Sequence, residues 1–288
     1  MTEKVFFAML PMFSPLKHGT FFGILKRTEK DKAGESMNTD YIAVFDSGVG
    51  GISVLRELMK QMPDERYLYY GDSANAPYGD KSTQQVQALT LAASEKLMAR
   101  GLKALVVACN TATAAAICLL RQTYPDKIII GIEPALKVAA ERFPRGRVGI
   151  MATQVTLREE KLAQQVERFS DLQIYRIPAP GLVELVEQGK GNTGHMTALL
   201  QQILTPWRDK LDALVLGCTH YPLVKEEIAH VLGEKVLLLD GGEGTARQTR
   251  RCLEQAGLLH DGPGSLEIEN SLPDETILEL SRQLLKGV

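Results

Sequence analysis

Two cysteines occupy equivalent positions in two similar stretches of the sequence. Residues 104–109 read ALVVAC and residues 213–218 read ALVLGC, so Cys109 and Cys218 each end a short apolar segment. A free thiol has a pKa of about 8.5, close enough to neutrality to act as a base when ionised and as an acid when protonated. Two thiols on opposite sides of one ligand are therefore suited to remove a proton from one face of a carbon atom and return a proton to the other.

The other uses of cysteine fit this sequence less well. Its four cysteines are Cys109, Cys118, Cys218 and Cys252, and none forms a C-x-x-C pair or a cluster with zinc-ligand spacing. This disfavours a redox-thiol protein and a metal site. Four cysteines in 288 residues are also too few for a disulfide scaffold, so reduced thiols in the cytoplasm are expected. Cys118 and Cys252 follow no predicted strand end, and we expect both to be small buried hydrophobic residues.

Polar residues follow each of the two strand-end cysteines. They are Asn110, Thr111, Thr219 and His220. Asparagine and threonine side chains and backbone N–H groups at a helix start can bind a carboxylate and stabilise a nearby thiolate. His220 either protonates a ligand and sets the charge of Cys218, or is a structural histidine with its hydrogen bonds satisfied.

A glycine-rich loop follows the first apolar segment. Residues 46–51 read DSGVGG, and such glycines let backbone approach a ligand closely. Ser53 stands where the dinucleotide pattern G-x-G-x-x-G has its third glycine, and no Gly-Lys-Ser/Thr is present, so no nucleotide cofactor is expected. Asp46 either accepts hydrogen bonds from an ammonium group and orients Cys109, or caps the following helix.

Two further segments carry candidate site residues. Residues 71–79, GDSANAPYG, form a loop rich in turn formers, in which Tyr78 and Gly79 either close on a carboxylate or belong to an ordinary polar connection. Glu187, in LVEQG, either pairs with His220 across a cleft or is an exposed helix residue.

Apolar segments alternate with helical patterns along the chain. We predict strands at residues 41–46, 66–72, 103–109, 127–132, 147–152, 172–177, 212–218 and 235–240. Continuous apolar strands separated by amphipathic helices are typical of α/β proteins, in which helices cover both faces of parallel sheets.

An internal repeat predicts two similar halves. The two cysteine segments are offset by 109 residues, and VFDS at 44–47 matches IMAT at 150–153 with an offset of 106. Near-equal offsets indicate two similar domains, each a mostly parallel sheet flanked by helices, related by pseudo-twofold symmetry. The alternative is coincidence, because Ala-Leu-Val is common in buried strands. Ligands of open α/β sheets bind beyond the carboxyl ends of the strands, where both cysteines and the hydroxyl residues Ser47 and Thr153 are expected.

Composition excludes several classes of protein. Hydrophobic residues make up 44% and charged residues 24% of the chain, as in ordinary globular proteins. A net charge of -2 gives no general attraction to nucleic acid or anionic membranes, and no apolar run reaches the ~20 residues that span a bilayer.

The first 36 residues form a predicted N-terminal extension. Residues 5–13, VFFAMLPMF, are interrupted by Pro11 and followed by no A-x-A site, so a signal peptide is rejected. Residues 26–36 carry seven charges and indicate a solvated linker. We therefore interpret residues 1–36 as an extension that is either disordered or docked as a regulatory element.

Four motifs together resemble bacterial glutamate racemases. They are DSGVGG at 46–51, DSANAPYG at 72–79, ACNTA at 108–112 and GCTHYP at 217–222, spread in this order over residues 41–260. The resemblance implies interconversion of L- and D-glutamate without a cofactor, which supplies D-glutamate for peptidoglycan. It also implies two α/β domains, residues 37–132 with 242–288 and residues 133–241, with the active site between them.

The resemblance assigns roles to individual residues. Cys109 and Cys218 would donate and accept protons, assisted by Asp46 and His220, with Glu187 beside His220. Substrate contacts would come from Asp46, Ser47, Tyr78, Gly79, Asn110, Thr111, Thr153, Thr219 and His220. Thr153 lies in ATQVT, which departs from the more usual A-T-x-G-T of the family.

The extension at residues 1–36 is a further departure from the usual family pattern. It resembles the longer enterobacterial-type enzymes, which respond to UDP-N-acetylmuramoyl-L-alanine. A monomer or homodimer without membrane or nucleic-acid partners is expected. Two alternatives remain, an aspartate or broad-specificity amino-acid racemase and a non-catalytic amino-acid-binding α/β protein.

Overall fold

The computed structural model describes residues 40–133, 135–158, 160–191 and 193–287, apart from the side chain of Lys161. The extension predicted for residues 1–36 lies outside the described residues. Among the helices of the described ranges, none is long and apolar enough to cross a membrane.

The strands of the described residues form two parallel sheets. They are β1 (Tyr41–Asp46), β2 (Arg66–Gly71), β3 (Leu102–Val107), β4 (Ile128–Gly131), β5 (Arg147–Ala152), β6 (Gln173–Pro178), β7 (Ala213–Leu216), β8 (Leu237–Asp240) and β9 (Ser265–Asn270). The first sheet has the order β4-β3-β1-β2-β9 and the second has the order β6-β5-β7-β8, with all neighbours parallel. The predicted α/β class with parallel sheets is confirmed.

Helices cover both faces of each sheet. They are α1 (Ile52–Gln61), α2 (Thr83–Met98), α3 (Asn110–Thr123), α4 (Leu136–Arg142), α5 (Gln154–Arg158), α6 (Glu160–Arg168), α7 (Leu182–Glu187), α8 (Gly194–Leu204), α9 (Lys225–Leu232), α10 (Gly242–Ala256) and α11 (Glu275–Lys286). Successive strand residues point to opposite faces. In β1, Ile42 therefore packs in one cluster with Leu55 of α1, whereas Phe45 packs in another with Ile117 of α3. Burial on both faces explains why the strand sequences are continuously apolar.

The two sheets share one strand order. The repeat offsets align β5 with β1 and β7 with β3. Read from β8, the second sheet runs β8-β7-β5-β6, which matches the run β4-β3-β1-β2 of the first sheet. The repeated segments therefore occupy equivalent central strands, and their carboxyl ends are equivalent places in the two sheets.

Strand β9 was not predicted, because its apolar residues do not form a continuous run. It lies at the edge of the first sheet, where Leu266 and Ile268 alternate with Glu267 and Glu269. Arg100 forms ion pairs with both glutamates. Such alternation is typical of a strand with one face toward solvent.

The prediction that Cys118 is buried is wrong. Cys118 is exposed on α3, while Cys252 on α10 is half-buried. The buried face of α3 includes Thr113, Ala116 and Leu120, at spacings of three and four residues. Because Cys118 falls between these positions, the helix turns it toward solvent.

Candidate active site

Buried polar side chains gather between the two sheets, beyond the carboxyl ends of the central strands. Cys109 follows the end of β3 by two residues and Cys218 follows the end of β7 by two residues. Both side chains are buried, Cys109 Sγ lies 3.4 Å from Ser47 Oγ, and Thr219, the residue after Cys218, donates a hydrogen bond to Asp46 at 2.9 Å. The structure therefore places the two predicted thiols on either side of the adjacent residues Asp46 and Ser47.

Cys109 stands at the N-terminus of α3. Its Sγ accepts a hydrogen bond from the Ala112 N–H at 3.4 Å and donates one to Ser47 Oγ at 3.4 Å. Burial, reinforced by the nearby charge of Asp46, raises the pKa of Cys109 to about 12, although these hydrogen bonds act in the opposite direction. Cys109 is therefore a protonated thiol at neutral pH and can serve as an acid.

Cys218 has a different environment. Its Sγ lies 3.6 Å from His220 Nδ1, and His220 Nε2 lies 2.6 Å from Glu187 Oε1. Burial alone would lower the pKa of His220, but the hydrogen bonds to Cys218 and Glu187 outweigh it and raise the pKa well above 6.5. A protonated imidazole that donates to Sγ stabilises the negative charge of a thiolate, so this pair equips Cys218 to act as a base.

Glu187 is held by three hydrogen bonds. Besides His220, its carboxylate accepts hydrogen bonds from the Val49 N–H at 2.7 Å and from Ser73 Oγ at 3.2 Å. Burial favours the neutral acid, but these bonds outweigh it and lower the pKa of Glu187. Glu187 ends α7, where a negative charge opposes the helix dipole. That unfavourable position was the signal in the sequence for a partner outside the helix.

The backbone of the glycine-rich loop lies very close to the side chains of Glu187, Thr219 and His220. A Cβ atom on Gly48 would overlap the carboxylate of Glu187, and one on Gly50 would lie 2.6 Å from His220 Cε1 and 2.7 Å from Thr219 Oγ1. The loop therefore fits against the His220–Glu187 pair because it lacks side chains at these two positions.

Asp46 links the two sheets at the centre of the site. Its Oδ2 accepts a hydrogen bond from Thr219 Oγ1 at 2.9 Å, and its Oδ1 accepts one from the Gly48 N–H at 3.0 Å. Burial raises the pKa of Asp46 to about 6, against the opposing effects of the His220 charge and of the Thr219 hydrogen bond. The first helix, α1, has Gly51 at its N-cap, so Asp46 does not cap it.

Three threonine hydroxyls form a cluster between the start of α3 and the end of β5. Thr111 Oγ1 lies 3.1 Å from Thr153 Oγ1 and 3.3 Å from Thr156 Oγ1, and the latter two lie 3.1 Å apart. A Cβ atom on Gly79 would lie 2.7 Å from Thr153 Cβ, so the loop that follows β2 contacts the same cluster. Thr156 was not predicted, although its spacing of three residues from Thr153 at a helix start was an available signal.

Tyr78 and Asn110 complete the predicted set. Tyr78 is buried, and burial, a hydrogen bond to Asp72 and the charges of Asp72 and Asp46 all raise its pKa. Asn110 lines a cavity of about 20 Å³ together with Thr156 of the threonine cluster. The structure therefore brings these predicted residues together, with Asn110 beside the threonine cluster.

Other supporting contacts gave no recognisable signal in the sequence. Ser53 Oγ lies 2.9 Å from the carbonyl oxygens of both Gly50 and Thr219 and shares its one proton between them, and Tyr69 in β2 donates from its hydroxyl to the Gly48 carbonyl at 2.6 Å. Because these residues lie within a helix and a strand, only the fold reveals that they hold the glycine-rich loop.

Comparison with known proteins identifies the family. The sequence model of the Asp/Glu/hydantoin racemase family matches residues 48–249. The glutamate racemase of Clostridium acetobutylicum is 49% identical over 254 residues, which cover 87% of this chain and 99% of that protein. The chain belongs to the glutamate racemase family. Membership of this family makes the protein an isomerase.

Solved structures of glutamate racemases share the fold. The Bacillus anthracis RacE1 isoform is 33% identical with a TM-score of 0.78, and the alignment covers 86% of this chain and 94% of that one. The Escherichia coli enzyme, solved with L-glutamate and the activator UDP-MurNAc-Ala, is 34% identical with a TM-score of 0.75, covering 85% of this chain and 94% of that one. The two-domain α/β architecture of this family therefore extends to this protein.

Replacement of Gly48 by alanine is expected to lower racemase turnover by roughly tenfold or more, because the new methyl group displaces the Glu187 carboxylate from His220. The matched control is Gly244→Ala in α10, where a Cβ atom would lie 4.0 Å from its nearest neighbour, Arg247. That control should keep full turnover and unfold at a slightly higher temperature, since alanine is the better helix former. Equal turnover in the two variants would show that the close approach at Gly48 is not needed.

Proposed function

We propose that the protein interconverts L- and D-glutamate by a two-base mechanism in which Cys109 and Cys218 act on opposite faces of Cα. The observation that carries the proposal is the placement of two buried thiols beyond the ends of equivalent strands, with Cys109 Sγ 3.4 Å from Ser47 Oγ and Cys218 Sγ 3.6 Å from His220 Nδ1. The reaction takes place in the cytoplasm without a cofactor, and the D-glutamate that it forms is used for peptidoglycan.

In one direction, the Cys218 thiolate removes the α-proton, and the Cys109 thiol delivers its own proton to the opposite face of the carbanion. The thiolate and the thiol have then exchanged roles, so the reverse direction begins with Cys109 as the base. In that state Cys109 carries the charge, and the Ala112 N–H and the Ser47 hydroxyl, which can rotate to donate, stabilise it.

The carbanion must be stabilised by the protein, because the α-proton of an amino acid is very weakly acidic. The N-terminus of α3 and the hydroxyls of Thr111 and Thr153 provide donors for the substrate carboxylate. The proposed substrate contacts are Asp46, Ser47, Tyr78, Gly79, Asn110, Thr111, Thr153, Thr219 and His220. Exclusion of water from this buried site strengthens each of these electrostatic contacts.

The site is proposed to close between two domains, residues 37–132 with 242–288 and residues 133–241. The division is supported by the membership of the sheets, because the chain passes from the first sheet to the second after β4 and returns after β8. The two segments that connect the sheets touch each other, since a Cβ atom on Gly241, after β8, would overlap the carbonyl oxygen of Glu133, after β4. Two adjacent connecting segments are suited to act as a hinge between domains.

The activity is tested by following the circular dichroism of L-glutamate incubated with the protein and a chelator, without added cofactor. We expect the signal to decay to zero, and to decay far more slowly when L-aspartate is supplied. A constant glutamate signal would contradict the proposal, and faster decay with aspartate would favour an aspartate or broad-specificity racemase.

Regulation by UDP-N-acetylmuramoyl-L-alanine forms the second part of the proposal. It is supported by the activator bound in the structure of the Escherichia coli enzyme and by the presence of residues 1–36 ahead of the first strand. Turnover is compared with and without this precursor, in the full chain and in a chain beginning at Met37. We expect activation of the full chain and a weaker response in the shorter one. Full activity of both forms, with no response in either, would contradict the proposal.

A further inference from the structure

Asp72 is a buried carboxylate with two neutral partners. It accepts a hydrogen bond from the Tyr78 hydroxyl at 2.7 Å, and the Asn75 side-chain amide lies 3.0 and 3.1 Å from its two oxygens. Asp72 is 4% exposed. Removing a carboxylate from water is costly unless its hydrogen bonds are replaced. Breaking the hydrogen bond from Tyr78 or Asn75 would therefore leave a buried carboxylate oxygen unsatisfied, which favours keeping both partners in place.

The backbone of Asp72 is hydrogen-bonded to Asp46, at the centre of the site. Asp72 follows the end of β2, and its backbone N–H donates to the carbonyl oxygen of Asp46 at the end of β1, at 2.9 Å. The Asn75 N–H in turn donates to the Asp72 carbonyl at 3.0 Å. The backbone of Asp72 is therefore attached to the end of the sheet, and the hydrogen bond from Tyr78 to its carboxylate holds the loop of residues 72–78 against that end.

Tyr78 carries this constraint to the proposed substrate-binding region. Its ring packs beside Phe45 of β1, with centroids 6.4 Å apart, in the apolar cluster that contains Cys109. The next residue, Gly79, lies against Thr153 of the threonine cluster. A change in the Tyr78 anchor would therefore move the segment that meets both Cys109 and Thr153.

We propose that Asp72 is a positioning residue for substrate binding, which acts by holding the Tyr78 hydroxyl and thereby the Tyr78–Gly79 segment against the site. The inference rests on the proposed glutamate racemase function and extends it to a residue outside the substrate contacts. Asp72 does not touch the reacting atoms, so its loss weakens binding more than it slows proton transfer.

The test is a double-mutant cycle with Asp72→Asn, Tyr78→Phe and the variant carrying both. Asparagine keeps the shape of the side chain but weakens the hydrogen bond from Tyr78, whereas phenylalanine removes only the hydroxyl. We expect each single change to raise KM for both enantiomers roughly tenfold, with kcat altered less than about threefold. The double variant should match the single variants, because both changes break one link. The matched control is Asp64→Asn, because Asp64 is an exposed aspartate shortly before β2, and this change should alter neither KM nor kcat.

Calorimetric binding of D-glutamate, measured alongside turnover, separates this inference from the proposed function. An unmodified protein that binds glutamate without racemising it would contradict the function while leaving the affinity comparison to test Asp72. Unchanged affinity and KM in Asp72→Asn, multiplied effects in the double variant, or a loss confined to kcat would each overturn the inference. If Asp72→Asn does not fold, as judged by its melting curve, Tyr78→Phe decides, and unchanged affinity in that variant would overturn the inference.

Discussion

Replacing Cys109 or Cys218 with serine is expected to reduce glutamate racemisation by about a thousandfold or more in both directions. A serine hydroxyl is far less acidic than a thiol, so it neither forms a base at neutral pH nor returns a proton readily. Because each direction needs one base and one acid, the loss of either sulfur stops both directions. The rates are measured by circular dichroism from each enantiomer.

The other two cysteines provide matched controls. Cys118 is exposed on α3 and Cys252 is half-buried on α10, so serine at either position should leave racemisation unchanged. Each catalytic variant should still eliminate a β-leaving group from a substrate of one configuration, since that reaction needs only one base. Near-normal racemisation by Cys109→Ser or Cys218→Ser would reject the two-base mechanism.

Replacing Glu187 with glutamine is expected to lower kcat by roughly tenfold to a hundredfold and to shift its pH dependence. Glutamine removes the negative charge that helps to raise the pKa of His220. His220 then loses its proton at a lower pH than in the unmodified protein, and with it the charge that stabilises a thiolate at Cys218. The alkaline limb of the kcat profile should therefore move to lower pH, measured from about pH 6 to about pH 10.

Glu184→Gln is the matched control for this change, because Glu184 lies on the same helix, α7, and is half-buried. Its profile should overlay that of the unmodified protein. A Glu187→Gln variant with an unshifted alkaline limb would mean that His220 does not depend on Glu187 for its charge. The role of His220 in supporting Cys218 would then need another explanation.

The fold was largely predictable because burial on both faces makes the central strands continuously apolar. The repeat of Ala-Leu-Val before Cys109 and Cys218 also predicted that equivalent strands would present the two thiols. Strand β9 was missed for the opposite reason, since an edge strand alternates apolar with charged residues and resembles a surface segment.

The site was predictable where chemistry follows a strand end and unpredictable where it depends on packing. Asp46 and His220 stand beside glycine or cysteine motifs, so their types and positions were informative. The partnership of Glu187 with the Val49 N–H joins residues 138 positions apart, and only the close approach of the loop at Gly48 creates it. Asp72 likewise gains its significance from the hydroxyl of Tyr78, which local sequence does not reveal.

Deuterium incorporation tests the central claim, that two thiols serve opposite faces of one glutamate. L- and D-glutamate are incubated separately with the protein in heavy water, and both enantiomers are analysed after a small fraction has reacted. The mechanism predicts deuterium at Cα of the product and almost none in the remaining substrate, because the acid that completes the reaction carries a solvent-derived deuteron. A product that retains the original proton, or substrate that gains deuterium as fast as product forms, would indicate a single base and contradict the account.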